Sequence, residues 1–125
     1  MPEPTRAWVR LLIVLAGVAV CGCDRSGPGG GTPERIFGQT GLGPGDFSYP
    51  RTIAVGPDGD VFVIDKSARV QRFNSDGEFE HGWQMPDWRA GKPVGVTIDR
   101  TGRVFIADTH YHRVKIYDHD GNPLG

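Results

Sequence analysis

His110 and His112 stand two residues apart, just after Asp108, and could contribute to a metal site. Imidazoles at that spacing can share a divalent ion if a third ligand arrives from elsewhere in the fold. Otherwise they are a loop histidine pair, and they are weak candidates for a metal site. Asp65 and Asp108 offer carboxylates for ion binding or catalysis. They also suit an Asx-type turn, in which the carboxylate accepts the amides of the following loop. Asp118-His119-Asp120-Gly121 resembles the opening of a calcium loop, whose twelfth position would fall beyond residue 125, and a turn between two strands accounts for it. Cys21 and Cys23 are too close for an ordinary disulfide. No Ser/His/Asp set, phosphate loop or carboxylate pair is legible. Catalytic residues are therefore assigned to none, no cofactor is expected, and an enzyme is the less favoured reading.

These residues sit in a chain of 125, one domain's worth at most. Its 14 Lys+Arg nearly balance 15 Asp+Glu, with no run of like charge. Phosphate binding wants a clustered basic face, so nucleic acid is not an expected partner. With 19 Gly and 10 Pro the chain turns often and has little room for long helices. Val, Ile and Phe between closely spaced turns point to an all-β fold.

The N-terminus has its own logic. Arg6 and Arg10 precede an apolar run over 11–20. Such a run spans about 15 Å as helix, roughly half a bilayer core, so it reads as the apolar region of an export signal. Val20-Cys21-Gly22-Cys23 resembles a bacterial lipobox. That resemblance implies a lipoprotein signal peptide over 1–22 and lipidation of Cys23, a thiolate being a strong side-chain nucleophile. Soluble secretion and an uncleaved anchor are the alternatives. Residues 23–33 are rich in Gly and Pro and read as a flexible tether reaching roughly 17 Å. The expected location is extracytoplasmic, on the cell membrane or outer membrane.

The remainder repeats itself. Pro50 to Asp65 aligns with Pro93 to Asp108 at an offset of 43, and Arg69-Val70 with Arg113-Val114 at 44. Gly59 matches Gly102 in one turn, and Gly77 matches Gly121 in another. A period near 43 belongs to β-propeller blades, each of four antiparallel strands. Strands are expected over 52–55, 61–64, 70–73 and 78–83, then over 94–98, 104–107 and 114–117. The second strand of each unit, 61–64 and 104–107, is almost wholly apolar and should be buried on both faces. Phe62 and Phe105 should then be equally covered. Trp83 and Trp88 either form an exposed aromatic patch or staple one blade to the next.

The second copy, Pro93 to Gly121, resembles the NHL repeat in its order of Pro, Gly-Val, Ile-Asp, Gly, Val-Phe, Ala-Asp, His-Arg-Val and Tyr-Asp. The first copy departs: Arg51-Thr52 replace the loop before its strand, and no His precedes Arg69. The resemblance covers about 33–125, and the repeat domain is taken as 34–125. It implies an outer strand at about 34–47 and blades at about 50–92 and 93–125, an incomplete propeller. Asp65, Asp108, Arg69, Arg113 and the four glycines recur at repeat positions, so their expected work is structural, each Arg tying a loop to a neighbouring blade. A membrane-tethered binding or scaffold module for a protein, peptide or glycan is the function implied. The rival is part of a metal-dependent propeller enzyme of lactonase or lyase type, with Asp108 or His110 as candidate ligands. Two blades do not close a ring. The chain is accordingly expected to be a fragment or, if complete, to assemble with copies of itself.

Overall fold

The computed structural model describes residues 31–125. Residues 1–22, where a signal peptide is expected, Cys23 and most of the expected tether lie outside the described residues. The strands are β1 (Gln39–Thr40), β2 (Asp46–Phe47), β3 (Pro50–Val55), β4 (Val61–Asp65), β5 (Arg69–Phe73), β6 (Phe79–Gln84), β7 (Gly95–Ile98), β8 (Val104–Asp108) and β9 (Arg113–Tyr117). Among the described residues, no helix is long and apolar enough to cross a membrane.

Turn chemistry cuts the chain into strands of this length. The β5–β6, β7–β8 and post-β9 turns are built alike. Asn74 accepts the amides of Asp76 and Glu78, Asp99 those of Thr101 and Arg103, and Asp118 those of Asp120 and Asn122. Each such side chain replaces a backbone partner and leaves the chain pointing back along the strand it came from. The result is β3-β4-β5-β6 in one antiparallel sheet and β7-β8-β9 in another. The described residues are all-β, two propeller-type blades of an incomplete ring. In the second, the place of a fourth strand is marked by a single bridge between Tyr117 and Pro123.

Strand alternation decides what each blade buries. Phe62, Ile64 and Val70 point from blade 1 into the joint between the blades and are wholly buried. Val104, Ile106 and Tyr117 come from blade 2 to meet them, with Ala68 and Met85 closing the cluster. Trp83 packs on Tyr117 and Phe62, ring centres 5.4 and 6.4 Å apart. It therefore staples the blades, whereas Trp88 is exposed. Each fully buried apolar side chain stabilises by roughly 1.5–3 kcal/mol, so this joint is the main cohesive element of the pair.

The expected burial of 104–107 on both faces needs correction. Val104 and Ile106 are wholly buried, but Phe105 and Ala107 on the alternate face are partly exposed. Phe62 and Phe105 are thus not equally covered. The reason is position: Phe62 looks into the joint, and Phe105 looks out from the far side of blade 2. The strand register of the two repeats is nevertheless the same.

Residues 34–47 do not run as one outer strand either. β1 and β2 are two residues each and pair with one another in parallel. Gly38 and Gly45, both at positive φ, bend the segment on itself. Phe37 and Phe47 then fold onto Phe73, at 5.0 and 5.4 Å.

Candidate functional site

Because the strands are antiparallel, the sheets have two ends. The upper end gathers the entries to β3 and β7 and the β4–β5 and β8–β9 loops; the lower end gathers the short turns. Asp65 and Asp108 both finish a strand at the upper end, and both are wholly buried.

Asp65 is fully engaged. Its Oδ1 accepts the Ser67 amide at 2.9 Å, the Ser67 hydroxyl, and the Arg69 amide at 3.4 Å. Its Oδ2 accepts the Ser48 amide at 2.9 Å and Arg69 Nη2 at 2.8 Å. Burial pushes the Asp65 carboxyl up, but the bonds from Ser67, Ser48 and Arg69, with the guanidinium charge, outweigh it and hold the group below its ordinary range. Arg69 in turn donates to the carbonyls of Leu42, Gly43 and Asp46 at 2.6, 3.1 and 2.9 Å. Gln71 adds bonds to the Asp46 carbonyl and the Gly45 amide. The 41–48 loop is therefore held by side chains of blade 1.

Asp108 is placed alike and bonded differently. Its Oδ2 accepts Arg113 Nε at 3.1 Å, and its Oδ1 has no hydrogen-bond partner among the described residues. Arg113 is shared with Asp87 at 2.5 Å and stacks over Tyr111 at 4.8 Å. The Asp87 bond leads the effects that raise the guanidinium's pKa. Tyr111 accepts the Ala90 amide at 3.1 Å. The cause of the difference is the one extra residue in this loop. It folds as a single 3-10 turn over Thr109–Tyr111, and His112 then takes a left-handed φ of 52°. The amides that serve Asp65 have no equivalents placed to serve Asp108.

His110 and His112 are exposed. Among the described residues, no three His, Cys, Asp or Glu side chains gather in a way that could hold a metal ion. The His110 ring lies against Gly91, where an added Cβ would fall 1.9 Å from its Cγ. Gly59, Gly77, Gly102 and Gly121 all sit in turns at φ between 79° and 84°. The Asp118 oxygens are taken up by the amides of Asp120 and Asn122 and by the Asn122 side chain, which is the turn arrangement.

Sequence reading had no signal for the lower-end cluster. His119 Nε2 lies 2.5 Å from Asp60 Oδ2, while Arg72 reaches the His119 carbonyl at 3.2 Å, Asp120 at 3.3 Å and Glu80 at 3.3 Å. This cluster crosses the joint between blades, and its members come from four separate stretches of sequence. At the upper end, exposed apolar and aromatic side chains remain that no core requires: Leu42 at 72%, Tyr49 at 75% and Trp88 at 40%. Lys66 stands 5.1 Å over the Tyr49 ring and Lys92 5.0 Å over Trp88.

Residues 91–117 match the family model of the NHL repeat. The chain is 32% identical over 91 residues to Protein brain tumor of Drosophila melanogaster, a match covering 70% of this chain and 9% of that protein. A calcium-binding protein, regucalcin, of Agrobacterium tumefaciens superposes with a TM-score of 0.51 at 25% identity, over 64% of this chain and 30% of that one. A gluconolactonase of Xanthomonas campestris gives a TM-score of 0.49 at 27% identity, over 64% and 28%. The chain thus spans less than a third of the length of each of these three proteins. The described part of the chain is an incomplete β-propeller of two blades, the second of which carries an NHL repeat.

Proposed function

We propose that this protein is a binding module held at the outer side of a bacterial membrane, with the upper-end loops taking a protein, peptide or glycan ligand. The observation that carries the reading is the division of labour at that end. The repeat-marking polar groups Asp65, Arg69 and Arg113 are spent on holding loops, while Leu42, Tyr49 and Trp88 are left exposed. Exposed aromatic rings beside cations suit recognition, since they offer large contact area at small entropic cost. The lipobox-like Val20 to Cys23 supports lipid attachment at Cys23, and the Gly- and Pro-rich tether supports a domain standing clear of the membrane.

The test has two arms. Fractionation of cells should place the wild type in the membrane and Cys23→Ser in the soluble fraction or unprocessed, with Cys21→Ser unchanged. Binding of the full chain to purified envelope glycans and envelope peptides should fall at least about tenfold in the Tyr49→Ala/Trp88→Ala double variant. Equal binding by both proteins removes the proposed face.

The rival reading, part of a metal-dependent propeller enzyme, has one observation in its favour: the Asp108 Oδ1 that no group among the described residues satisfies. The described residues do not by themselves fit a metal, because no third ligand joins Asp108 and His110. Lactone hydrolysis that depends on added calcium and is lost in Asp108→Asn would favour this reading over the first.

A further inference from the structure

At the upper end, the segment from β6 to β7 carries side chains that the repeat does not explain. It reads Asp87-Trp88-Arg89-Ala90-Gly91-Lys92. At the offset of 43, Gly45, Asp46 and Tyr49 stand where Trp88, Arg89 and Lys92 stand. Tyr111 belongs to the loop in which the second copy has its extra residue. Residues that serve the blade recur from copy to copy, and these do not. They are nevertheless held in place. Lys92 Nζ donates to the Trp88 carbonyl at 3.2 Å and stands 5.0 Å over the Trp88 ring. The Ala90 amide donates to the Tyr111 hydroxyl at 3.1 Å. Arg113 lies 4.8 Å over the Tyr111 ring and pairs with Asp87, and the His110 ring rests against Gly91. Bonds between 87–92 and 110–113 thus tie two cation-on-aromatic pairs into one shelf.

We propose that this shelf binds an anionic glycan, a chain of sugars bearing carboxylates, with Trp88 stacking on a sugar and Arg89 and Lys92 pairing with its acid groups. The inference rests on the reading of the upper end as the ligand face and names the ligand's class. Charge sets the sign of the occupant. Asp87 is taken by Arg113, and Asp108 is buried. Among the described residues, neither Arg89 nor Lys92 has a carboxylate partner. The four lower turns each carry an acid instead: Asp58, Asp76, Asp99 and Asp118. Shape sets the class. Loops form the shelf, not a strand edge, so an extended peptide finds no ladder to join. Trp88 is 40% exposed, and an indole lies flat against the C–H face of a pyranose. A cation fixed over that ring, with a guanidinium one residue along from it, meets a carboxylate carried on the same sugar chain. Blades of a propeller stack side against side, so further blades would leave this loop end open.

Isothermal titration of the full protein with oligomers of polygalacturonate and of alginate, each against its own methyl ester, tests this. The ester erases the charge and keeps the sugar. At least one acid form is expected to bind at least about tenfold tighter than its ester, and to weaken as salt rises. Arg89→Gln/Lys92→Gln should cut the affinity for that acid form at least about tenfold and leave the ester unaffected. Arg100→Gln, which removes a cation from a lower turn, should change neither, and circular dichroism verifies that the variants fold. Neither acid form binding overturns the proposal. So does polyglutamate bound as tightly as the acid oligomers, which would show capture of bare charge. Acid and ester bound alike, with both lost in Tyr49→Ala/Trp88→Ala, would remove the anionic class and leave the upper end as the ligand face. Acid binding untouched by the charge variant and by Tyr49→Ala/Trp88→Ala would remove both readings.

Discussion

Asp65 and Asp108 end equivalent strands of neighbouring blades and are equally buried, yet the carboxylate of Asp65 accepts five hydrogen bonds and that of Asp108 accepts one. Asp65→Asn would turn an amide NH₂ toward groups that all donate, leaving buried donors unsatisfied. A loss of about 3 kcal/mol is expected. Asp108→Asn keeps an acceptor for Arg113, which also retains Asp87, and should cost about 1 kcal/mol or less. Urea unfolding of the two variants measures the difference, and equal losses would show that the extra loop residue does not matter.

Acid should weaken the fold in a defined window. Asp65 is held below its ordinary pKa against the opposing effect of burial. Asp99 is lowered chiefly by the Thr101 hydroxyl, and Asp118 chiefly by the Asn122 side chain. A carboxyl whose folded pKa is depressed stabilises the fold above its unfolded value, here 3.8, and that contribution fades as pH falls through the folded value. The melting temperature should therefore be level above pH about 5 and drop steadily below about 4. Asp65→Asn should flatten that drop.

Phe62 and Phe105 separate what a repeat position specifies from what its neighbours supply. Phe62→Ala empties the joint and should cost about 3–5 kcal/mol. Phe105→Ala, on the partly exposed outer face, should cost less than half of that. Thermal melts compare the two.

The turn glycines should differ among themselves although their backbone angles agree. A Cβ on Gly121 would fall 2.5 Å from the Trp83 ring, and one on Gly77 would fall 2.8 Å from Phe37. At Gly102 the nearest atom is 4.0 Å away. Gly102→Ala should therefore show only the left-handed strain, about 1–2 kcal/mol. Gly121→Ala should show that and the displacement of the indole that staples the blades. Near-ultraviolet circular dichroism of the tryptophans would register the second effect and not the first.

Much of this architecture was legible in one dimension. The offsets of 43 and 44 paired β4 with β8 and β5 with β9, and the apolar runs with Asx and Gly turns between them marked the strands to within a residue or two. Local chemistry suffices there, because a strand's length is set by the turn at each end. Side-chain coverage was not legible. Phe62 and Phe105 share a type and a register, and only the stacking of one sheet on the other buries the first and leaves the second partly bare. The upper-end site divided in the same way. Asp65 and Asp108 announced themselves by recurrence, but the Ser48 amide that reaches Asp65, and the Asp87 that draws Arg113 partly away from Asp108, come from loops whose path depends on packing. The contact between Asp60 and His119 carried no sequence signal, since neither the spacing nor the neighbours of the two residues suggest a pair. Only the tertiary structure brings them together, because the joint between blades sets the turn after β9 beside the start of β4.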